Sequence, residues 1–388
     1  NALLDPQSFV EMNSSVESRR LNFGFEREPV AGDGVVTGFG TINDNPVYIA
    51  AQEPSVYGGS IGEIHALKIV EAINAAVEAD VPFILIPDSG GARIEEAVIS
   101  LQTTGQLLAT MRFADDYIPI ITMIAGNCPG ALSMLPEYSD FVLMNDAAGA
   151  VFVNGPMVVQ ATEGKGVDVA ALGGAAVRAA NGYVSIRSAD EAAMIEDAKA
   201  LVDLISEERD FADDPNRAED LLDQIAQYSD RQGFAAGDIA DAVFDQGSMI
   251  PLYADYAPEV YTALASLDGE TVGCIIQTAP RMNADHCRKL AKFVDLCDAF
   301  DFPLINFVQG EGFEISSEAE KNLSAAAADL YAAYVDASMI KITVIIGKLY
   351  GSAWQVLNAN KAYNDVLYAW PTAEIAVVPS ETAASIIY

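Results

Sequence analysis

The sequence has few histidines and cysteines, two residue types that often carry enzyme chemistry. It contains two histidines and four cysteines in 388 residues. The cysteines lack C-x-x-C spacing, so no zinc site is predicted and the free thiols of a cytoplasmic protein are expected. No P-loop and no G-x-G-x-x-G motif is present, so nucleotide hydrolysis and dinucleotide binding are not supported. The cysteines are Cys128, Cys274, Cys287 and Cys297.

Positive charge and long apolar runs are also scarce. The formal net charge is −35 at pH 7, which argues against a nucleic-acid partner because phosphates would be repelled. Such acidity is typical of adaptation for solubility or for a salty cytoplasm, and a docking surface for a basic partner is the alternative. Apolar runs such as FILIP and IPIITMIAG are too short to cross a membrane. No secretion signal is recognised at the start, so a cytoplasmic location is expected.

What the sequence does contain is the stretch 81–131 twice. A shift of 221 positions carries Gly91 to Gly312 and Gly130 to Gly351 without a gap. Each copy reads as an apolar strand, a glycine-containing turn, a helix, a second apolar strand and a second glycine-containing turn. Flanking segments repeat with an offset of 225. A single offset that survives about fifty residues indicates an internal duplication.

The patterning predicts an α/β fold with two domains. Alternation around an Asn-Asp-Asn turn predicts a β-hairpin, and fully apolar strands alternating with helices predict a parallel sheet covered on both faces. An acidic, poorly periodic stretch separates the copies. The predicted strands are 81–86, 118–125 and 141–144, the helices 61–79, 95–113, 190–206, 282–300 and 318–335, and the domains 1–206 and 234–388 with an acidic connection at 207–233.

The four glycine-containing turns are the candidate functional sites. A strand that runs into a glycine turn and then a helix presents free backbone N–H groups, which together with the helix dipole suit an anion. Two such turns side by side can form an oxyanion hole, whereas tight strand–helix packing is the plainer alternative. Asp88 and Arg93 flank the first turn and are expected either to form a structural ion pair or to contact the ligand. His65 and His286, related by the same shift, are expected to be structural residues at helix starts.

Several of these motifs resemble one family. DSGGARI at 88–94, GNCPGA at 126–131, EGF at 311–313 and VLYAWPTAEIAV at 366–377 resemble the carboxyltransferase subunits of biotin-dependent acyl-CoA carboxylases and decarboxylases. The resemblance extends over essentially the whole chain. It implies two tandem crotonase-like domains of the ββα-superhelix type. It also implies that the N-terminal domain holds acyl-CoA and the C-terminal domain of a neighbouring subunit holds carboxybiotin, within a dimer or hexamer.

The resemblance also implies roles for individual residues. In the first copy, backbone N–H groups would stabilise the enolate of a CoA thioester substrate, and in the second copy they would hold the ureido oxygen of biotin. The implied enolate residues are Gly91, Ala92, Gly130 and Ala131, and the implied biotin residues are Gly312, Phe313, Gly351, Ser352 and Ala353. The residues implied in binding the CoA ester or biotin are Gly90, Arg93, Gly310 and Tyr350. No metal is predicted in this chain.

Partner proteins follow from what the chain does not encode. It has no A-M-K-M biotinylation motif and no ATP-binding module, so a biotin carboxyl carrier protein is the expected partner, with either a biotin carboxylase or a membrane decarboxylase subunit. Two alternatives remain. One is a biotin-independent relative acting on a malonyl-type thioester, which Glu311 and Glu314 in the second copy favour because acidic residues are unusual beside a biotin pocket. The other is a non-catalytic assembly subunit paired with an active homologue.

Overall fold

The computed structural model describes residues 2–19, 28–206, 236–359 and 363–387. The chain divides into two compact units, Asn1–Asp203 and Leu204–Tyr388. The acidic connection predicted at 207–233 lies outside the described residues, and the domain boundaries at 206 and 234 remain a prediction. Each unit has a mixed α/β fold, so the predicted fold class is confirmed at that level.

The first unit is built on a seven-stranded sheet in the order β1-β2-β3-β4-β5-β7-β9. The first two pairings are antiparallel and the remaining four are parallel. A separate two-stranded sheet is formed by β6 and β8, which pair in parallel. The strands are β1 (Val10–Met12), β2 (Val35–Ile42), β3 (Asn45–Gln52), β4 (Phe83–Ile86), β5 (Ile120–Ile124), β6 (Asn127–Pro129), β7 (Phe141–Asn145), β8 (Ala150–Phe152) and β9 (Ile186–Ser188).

The predicted hairpin is β2–β3. Its turn residues Asn43 and Asp44 have φ of +49° and +68°, the conformation of a two-residue turn that matches the twist of paired strands. The helices of this unit are α1 (Glu63–Ala79), α2 (Val98–Ala114), α3 (Pro156–Glu163), α4 (Val169–Gly173), α5 (Ala175–Ala180) and α6 (Glu191–Ile205). Short 3₁₀ helices span Tyr57–Gly59, Ile94–Glu96 and Gly130–Tyr138.

The second unit repeats this strand order. Its sheet runs β10-β11-β12-β13-β14-β15, with β16 also paired to the end of β14. The strands are β10 (Ile250–Pro251), β11 (Val260–Leu267), β12 (Glu270–Gln277), β13 (Leu304–Gly310), β14 (Lys341–Tyr350), β15 (Val366–Ala369) and β16 (Glu374–Ala376). The helices described are α7 (Ala236–Val243), α8 (Ala284–Ala299), α9 (Leu323–Asp336), α10 (Ser352–Val356) and α11 (Ser380–Ile387), with a 3₁₀ turn at Ala319–Lys321.

Equivalent buried contacts recur in the two units. Lys68 on α1 donates from Nζ to the carbonyl of Val35 at 2.5 Å, and Lys289 on α8 donates to the carbonyl of Tyr256 at 2.8 Å. Both lysines are almost fully buried. Because a buried ammonium needs acceptors, each lysine ties its helix to the backbone at the entry to an antiparallel strand pair, β2–β3 in the first unit and β11–β12 in the second. The shift of 221 relates both the donors and the acceptors.

The core of each unit lies between its helices and its sheet. In the first unit the central strands β4, β5 and β7 are buried on both faces, as their apolar runs predict. All four cysteines are free, as expected from their spacing, and the structure buries each of them. Across the described ranges, none of the helices combines the length and the apolar character needed to cross a membrane.

A single non-glycine residue is strained at the start of α2. Ala97 has φ +48° and ψ −127°, a region that L residues rarely occupy, and its side chain is exposed. The predicted helix 95–113 is therefore interrupted here, since the 3₁₀ turn Ile94–Glu96 and α2 meet at this residue.

We expect Ala97→Gly to stabilise the protein by about 1 kcal/mol. Glycine removes backbone strain of roughly 1–3 kcal/mol, and the greater conformational entropy that it gives the unfolded chain offsets part of this gain. The measurement is urea unfolding. Ala109→Gly, an exposed position within α2, is the matched control and should destabilise by about 1 kcal/mol. A loss of stability in both variants would show that Ala97 is not strained.

Candidate active site

Each of the four sequence-predicted turns contains a glycine with a positive φ. The values are +96° at Gly91, +62° at Gly130, +109° at Gly312 and +60° at Gly351. Glycine adopts this region without steric cost, so these positions need glycine for backbone geometry. The shift that relates the two copies of the sequence therefore also relates their turn conformations.

In the first unit the turn after β4 leaves one N–H group unused. Ile61 donates its N–H to the carbonyl of Gly91 at 2.8 Å, and Arg93 donates its N–H to the carbonyl of Ile61 at 2.9 Å. Ala92 lies between these two pairings, so its N–H faces away from Ile61. Among the described residues this N–H meets no acceptor, and Ala92 is exposed. It is therefore available to a ligand.

The second turn of this unit lies beside the first. Ser89 donates its N–H to the carbonyl of Asn127 at 2.8 Å, and Asn127 donates its N–H to Oδ1 of Asp88 at 3.2 Å. A Cβ on Gly126 would lie 2.2 Å from the same Oδ1, so the carboxylate occupies the space where a side chain would be. Ala131, exposed in the first turn of the 3₁₀ helix Gly130–Tyr138, presents its N–H next to this junction.

The second unit repeats the arrangement around Phe313. Met282 donates its N–H to the carbonyl of Gly312 at 3.0 Å, and Glu314 donates its N–H to the carbonyl of Met282 at 2.8 Å. The N–H of Phe313, between these two pairings, meets no acceptor in the described part of the chain. Gln309 takes the place of Asp88, because a Cβ on Gly347 would lie 2.2 Å from the Gln309 Oε1.

The last of the four turns begins α10. Gly351 donates its own N–H to the carbonyl of Ala376 at 3.0 Å, so that donor is used within the protein. Ser352 is exposed and Ala353 is fully buried, and both N–H groups fall in the first turn of the helix. The Tyr350 hydroxyl bonds to a carboxylate oxygen of Glu374. Gly310 is buried at the end of β13, opposite Leu349.

The prediction of an ion pair between Asp88 and Arg93 is wrong. Nη1 of Arg93 lies 2.7 Å from Oδ1 of Asp33 and 2.8 Å from Oε1 of Glu96, and the Arg93 side chain is only 3% exposed. A buried guanidinium requires carboxylate partners that are also buried, and Asp88 faces Gly126 instead. The sequence did not indicate Asp33, because that residue is distant along the chain and only tertiary structure brings it under the turn.

The N–H groups of Gly90, an expected binding residue, and of Gly91, an expected enolate donor, are also used within the protein. Gly90 donates its N–H to the carbonyl of Gly58 at 2.8 Å, and Gly91 donates its N–H to Oγ of Ser89 at 3.0 Å. Ser89 was not singled out from the sequence. Its hydroxyl in turn donates to the carbonyl of Gly59 at 2.6 Å, which fixes the turn. Whether Gly90, Gly91 and Arg93 also contact a ligand stays a prediction.

A chain of buried hydrogen bonds supports the same turn. Nδ1 of His65 lies 2.9 Å from the carbonyl of Asp33, and its Nε2 lies 2.9 Å from Nε2 of Gln52. Oε1 of Gln52 accepts the N–H of Asp88 at 3.1 Å. The Gln52 amide therefore donates to His65, which fixes the neutral imidazole with its proton on Nδ1. Burial lowers the pKa of His65 to about 3, which excludes acid–base work at neutral pH.

The other histidine is also structural, as expected. The N–H of Asn283 donates to Nδ1 of His286, and the Asn283 side chain accepts the N–H of His286, which forms a capping box at the start of α8.

The stretch 58–62 matches the letters of the nucleophile motif G-x-S-x-G. However, Ser60 follows a 3₁₀ turn rather than a strand, and its Oγ accepts from Nε of Arg93. It is not a nucleophile elbow. Among the described residues no group of three His, Cys, Asp or Glu side chains could hold a metal ion.

Comparisons with known proteins find the same family over the full length of the chain. A family model described as the carboxyl transferase domain matches residues 1–388. The chain is 35% identical over 400 residues to the methylmalonyl-CoA decarboxylase subunit alpha of Veillonella parvula, covering 100% of this chain and 78% of that protein. It is 35% identical over 401 residues to the methylmalonyl-CoA carboxyltransferase 12S subunit of Propionibacterium freudenreichii subsp. shermanii, covering 100% and 76%.

Solved structures show the same likeness. A hexameric transcarboxylase 12S core with methylmalonyl-CoA and methylmalonic acid bound has a TM-score of 0.91 and 34% identity, covering 100% of this chain and 76% of that one. A single-chain long-chain acyl-CoA carboxylase has a TM-score of 0.87 at 21% identity, covering 100% of this chain and 41% of that one, which shows a shared fold.

We expect Gly126→Ala to disrupt the first unit at the junction of its two turns. The new methyl group would displace the Asp88 carboxylate and break its bond to Asn127, at a cost of about 1–3 kcal/mol for overpacking. The measurement is the free energy of unfolding in urea. Gly105→Ala is the matched control: it lies within α2, and its methyl group would meet nothing within 4 Å, so it should stabilise by up to about 1 kcal/mol. Equal effects would contradict the role given to Gly126.

We also expect the neutral His65 to make the protein lose stability in acid. Its pKa is about 3 in the folded protein against an ordinary value of 6.5, so the unfolded chain binds one more proton between these values. Stability from this group is complete above pH 6.5 and is lost as the pH falls toward 3, by up to about 5 kcal/mol at about 1.4 kcal/mol per pKa unit.

The measurement compares wild type with His65→Gln in urea unfolding from pH 7 to pH 4. The variant should show a slope of unfolding free energy against pH that is smaller by about 1.4 kcal/mol per pH unit, which corresponds to one proton. Identical slopes would show that His65 is protonated in the folded state.

Proposed function

The chain belongs to the carboxyl transferase domain family, and we propose from this premise that it moves a carboxyl group between carboxybiotin, held on a partner carrier, and an acyl-CoA thioester. It is a carboxyltransferase of the type found in biotin-dependent carboxylase and decarboxylase complexes. The relatives named for their substrates act on methylmalonyl-CoA or propionyl-CoA. A short acyl-CoA with a carboxyl group on its α-carbon is therefore the substrate class we propose.

The observation that carries this proposal is the set of four glycine turns. Each has a glycine with positive φ, and each is followed by a residue whose N–H is free or begins a helix. Carboxyl transfer to or from the α-carbon of a thioester places negative charge on the thioester oxygen. Fixed N–H donors stabilise such charge without an acid–base side chain. The neutral, buried His65 agrees with chemistry that relies on backbone donors.

The residues present fit both substrates. A Cβ built on Gly130 or on Gly312 meets nothing within 4 Å, so each turn has open space in front of it. In the first unit we assign the N–H groups of Ala92 and Ala131 to the thioester oxygen. In the second unit we assign those of Phe313 and Ser352 to the ureido oxygen of biotin, with Ala353 behind them. Biotin supplies the carboxyl group in an activated form; this chain binds, orients and stabilises charge.

The finer architecture and assembly are part of the proposal. The repeated strand order of the two sheets supports tandem crotonase-like domains. We also propose a homo-oligomer with a biotin carboxyl carrier protein as partner, in the cytoplasm, with either a biotin carboxylase or a membrane decarboxylase subunit. Large exposed apolar side chains next to the first turn support an oligomer, because such side chains are usually covered by another subunit; they are Ile94, Val98 and Leu101, at 87%, 71% and 62% exposed.

The experiment is a carboxyl-transfer assay with free biotin and methylmalonyl-CoA or malonyl-CoA, in which release of the acyl-CoA is followed. We expect release that depends on biotin. Biotin-independent release would favour the malonyl-type alternative, and an absence of thioester binding would favour a non-catalytic subunit.

We expect a matched pair of variants to separate the two halves of the site. Gly91→Ala and Gly312→Ala make the same change at φ of +96° and +109°, where alanine is strained and the neighbouring donor must move. Gly91→Ala should lower kcat/KM for the carboxyacyl-CoA by about 10- to 100-fold, and Gly312→Ala should lower kcat/KM for biotin by a similar factor. Each should leave the KM of the other substrate within about threefold.

Ala353→Val tests the same half as Gly312→Ala. It should impair biotin use while leaving acyl-CoA affinity nearly intact, although Ala353 is fully buried, so its folding must be checked by circular dichroism. If Gly91→Ala and Gly312→Ala raise the KM of both substrates equally, the assignment of one substrate to each unit is wrong.

A further inference from the structure

The two units differ in charge around their equivalent turns. In the second unit Lys348, on β14, points Nζ at Oε1 of Glu311 at a distance of 3.2 Å. The shift of 221 relates Lys348 to Asn127 and Glu311 to Gly90, which are both neutral. The duplication has therefore kept the backbone of this turn and added an ion pair to one copy only.

The ion pair spans the two turns of the second unit. Glu311 directly precedes Gly312, and Lys348 lies three residues before Gly351 on the neighbouring parallel strand. Its atoms are accessible, since the side chains of Lys348 and Glu311 are 50% and 41% exposed. An ion pair this exposed contributes little to stability, so a competing carboxylate can replace Glu311 at small cost.

Lys348 lies among acidic side chains, where an incoming anion would need a cation. Glu314 follows Phe313 in the first of these turns, Glu374 on β16 pairs with Lys348 on β14, and both add negative charge. An anionic substrate entering this half would be repelled unless a cation met it. The nearby Arg281 is directed at the backbone, because its Nη1 donates to the carbonyl of Phe313 at 3.1 Å. Lys348 has a single carboxylate partner in the described part of the chain, and that partner can be exchanged.

We propose that Lys348 binds the carboxylate of carboxybiotin in the second unit, and that Glu311 is the internal counter-ion it leaves when that carboxylate arrives. This assignment rests on the proposed function. It gives the second unit a means to distinguish carboxybiotin from biotin, which carries no carboxylate on its ureido ring. Glu311 then lowers affinity for carboxybiotin, since it competes for the same ammonium group and repels the same charge.

The experiment compares Lys348→Met, Lys348→Arg and Glu311→Gln in both directions of transfer, with free carboxybiotin plus acyl-CoA and with free biotin plus carboxyacyl-CoA. Lys348→Met should raise the KM for carboxybiotin by about 10- to 100-fold, the effect of losing a charge-assisted hydrogen bond, and change the KM for biotin by less than about threefold. The loss in the second direction should fall on kcat, because the overall equilibrium constant cannot change. Lys348→Arg should keep most of the affinity.

Glu311→Gln decides between binding and structure. If Lys348 binds the carboxylate, this variant frees the ammonium group and should lower the KM for carboxybiotin. If the pair only braces the turns, Glu311→Gln and Lys348→Met should impair transfer alike, which would overturn the proposal. Lys321→Met, which removes a lysine from an exposed pair with Glu318, is the charge-matched control and should change neither KM. Normal wild-type transfer with an unchanged Lys348→Met would overturn only this assignment, whereas no wild-type transfer would overturn the proposed function as well.

Discussion

The candidate site depends on a side chain near the end of one parallel strand filling the space that a glycine leaves near the end of the next. Asp88 does this against Gly126, and Gln309 does it against Gly347. The contact holds the ends of neighbouring parallel strands at a fixed separation, so the free N–H groups beyond them have fixed positions. Donors contribute to catalysis in proportion to how well they are placed before the reaction. The turn glycines and the strands that precede them can position these donors because this contact holds the strand ends together.

Beneath the first turn, buried polar groups serve geometry more than stability. The ion cluster of Arg93 with Asp33 and Glu96 is nearly inaccessible, and replacing such clusters by apolar residues is often neutral for stability. Its effect is to fix which way the turn runs. The chain of hydrogen bonds from Asp33 through His65 and Gln52 to Asp88 does the same from the other side. Between them these groups leave the exposed backbone of Ala92 little freedom.

Much of the scaffold could be predicted from the sequence, because buried parallel strands are short apolar runs and the duplication identified each of them twice. The hairpin turns and the four glycine turns were recognisable for the same reason. The short helices α3, α4 and α5 were missed, since their glycine-bearing and polar stretches show little periodicity. The partners of Arg93 could not be found, because Asp33 approaches it only after folding. Similarly, the ion pair of Lys348 joins two strands that are separated by a helix along the chain.

The buried thiols give each unit its own reporter. Cys128 is the cysteine of the first unit, and Cys274, Cys287 and Cys297 belong to the second. Burial raises the pKa of Cys128 and of Cys287 to about 12, so neither reacts as a thiolate while its surroundings stay closed. Labelling by a thiol reagent therefore proceeds through local opening, and its rate measures how often each unit opens. A bound molecule that slows labelling in one unit alone would identify the unit that holds it.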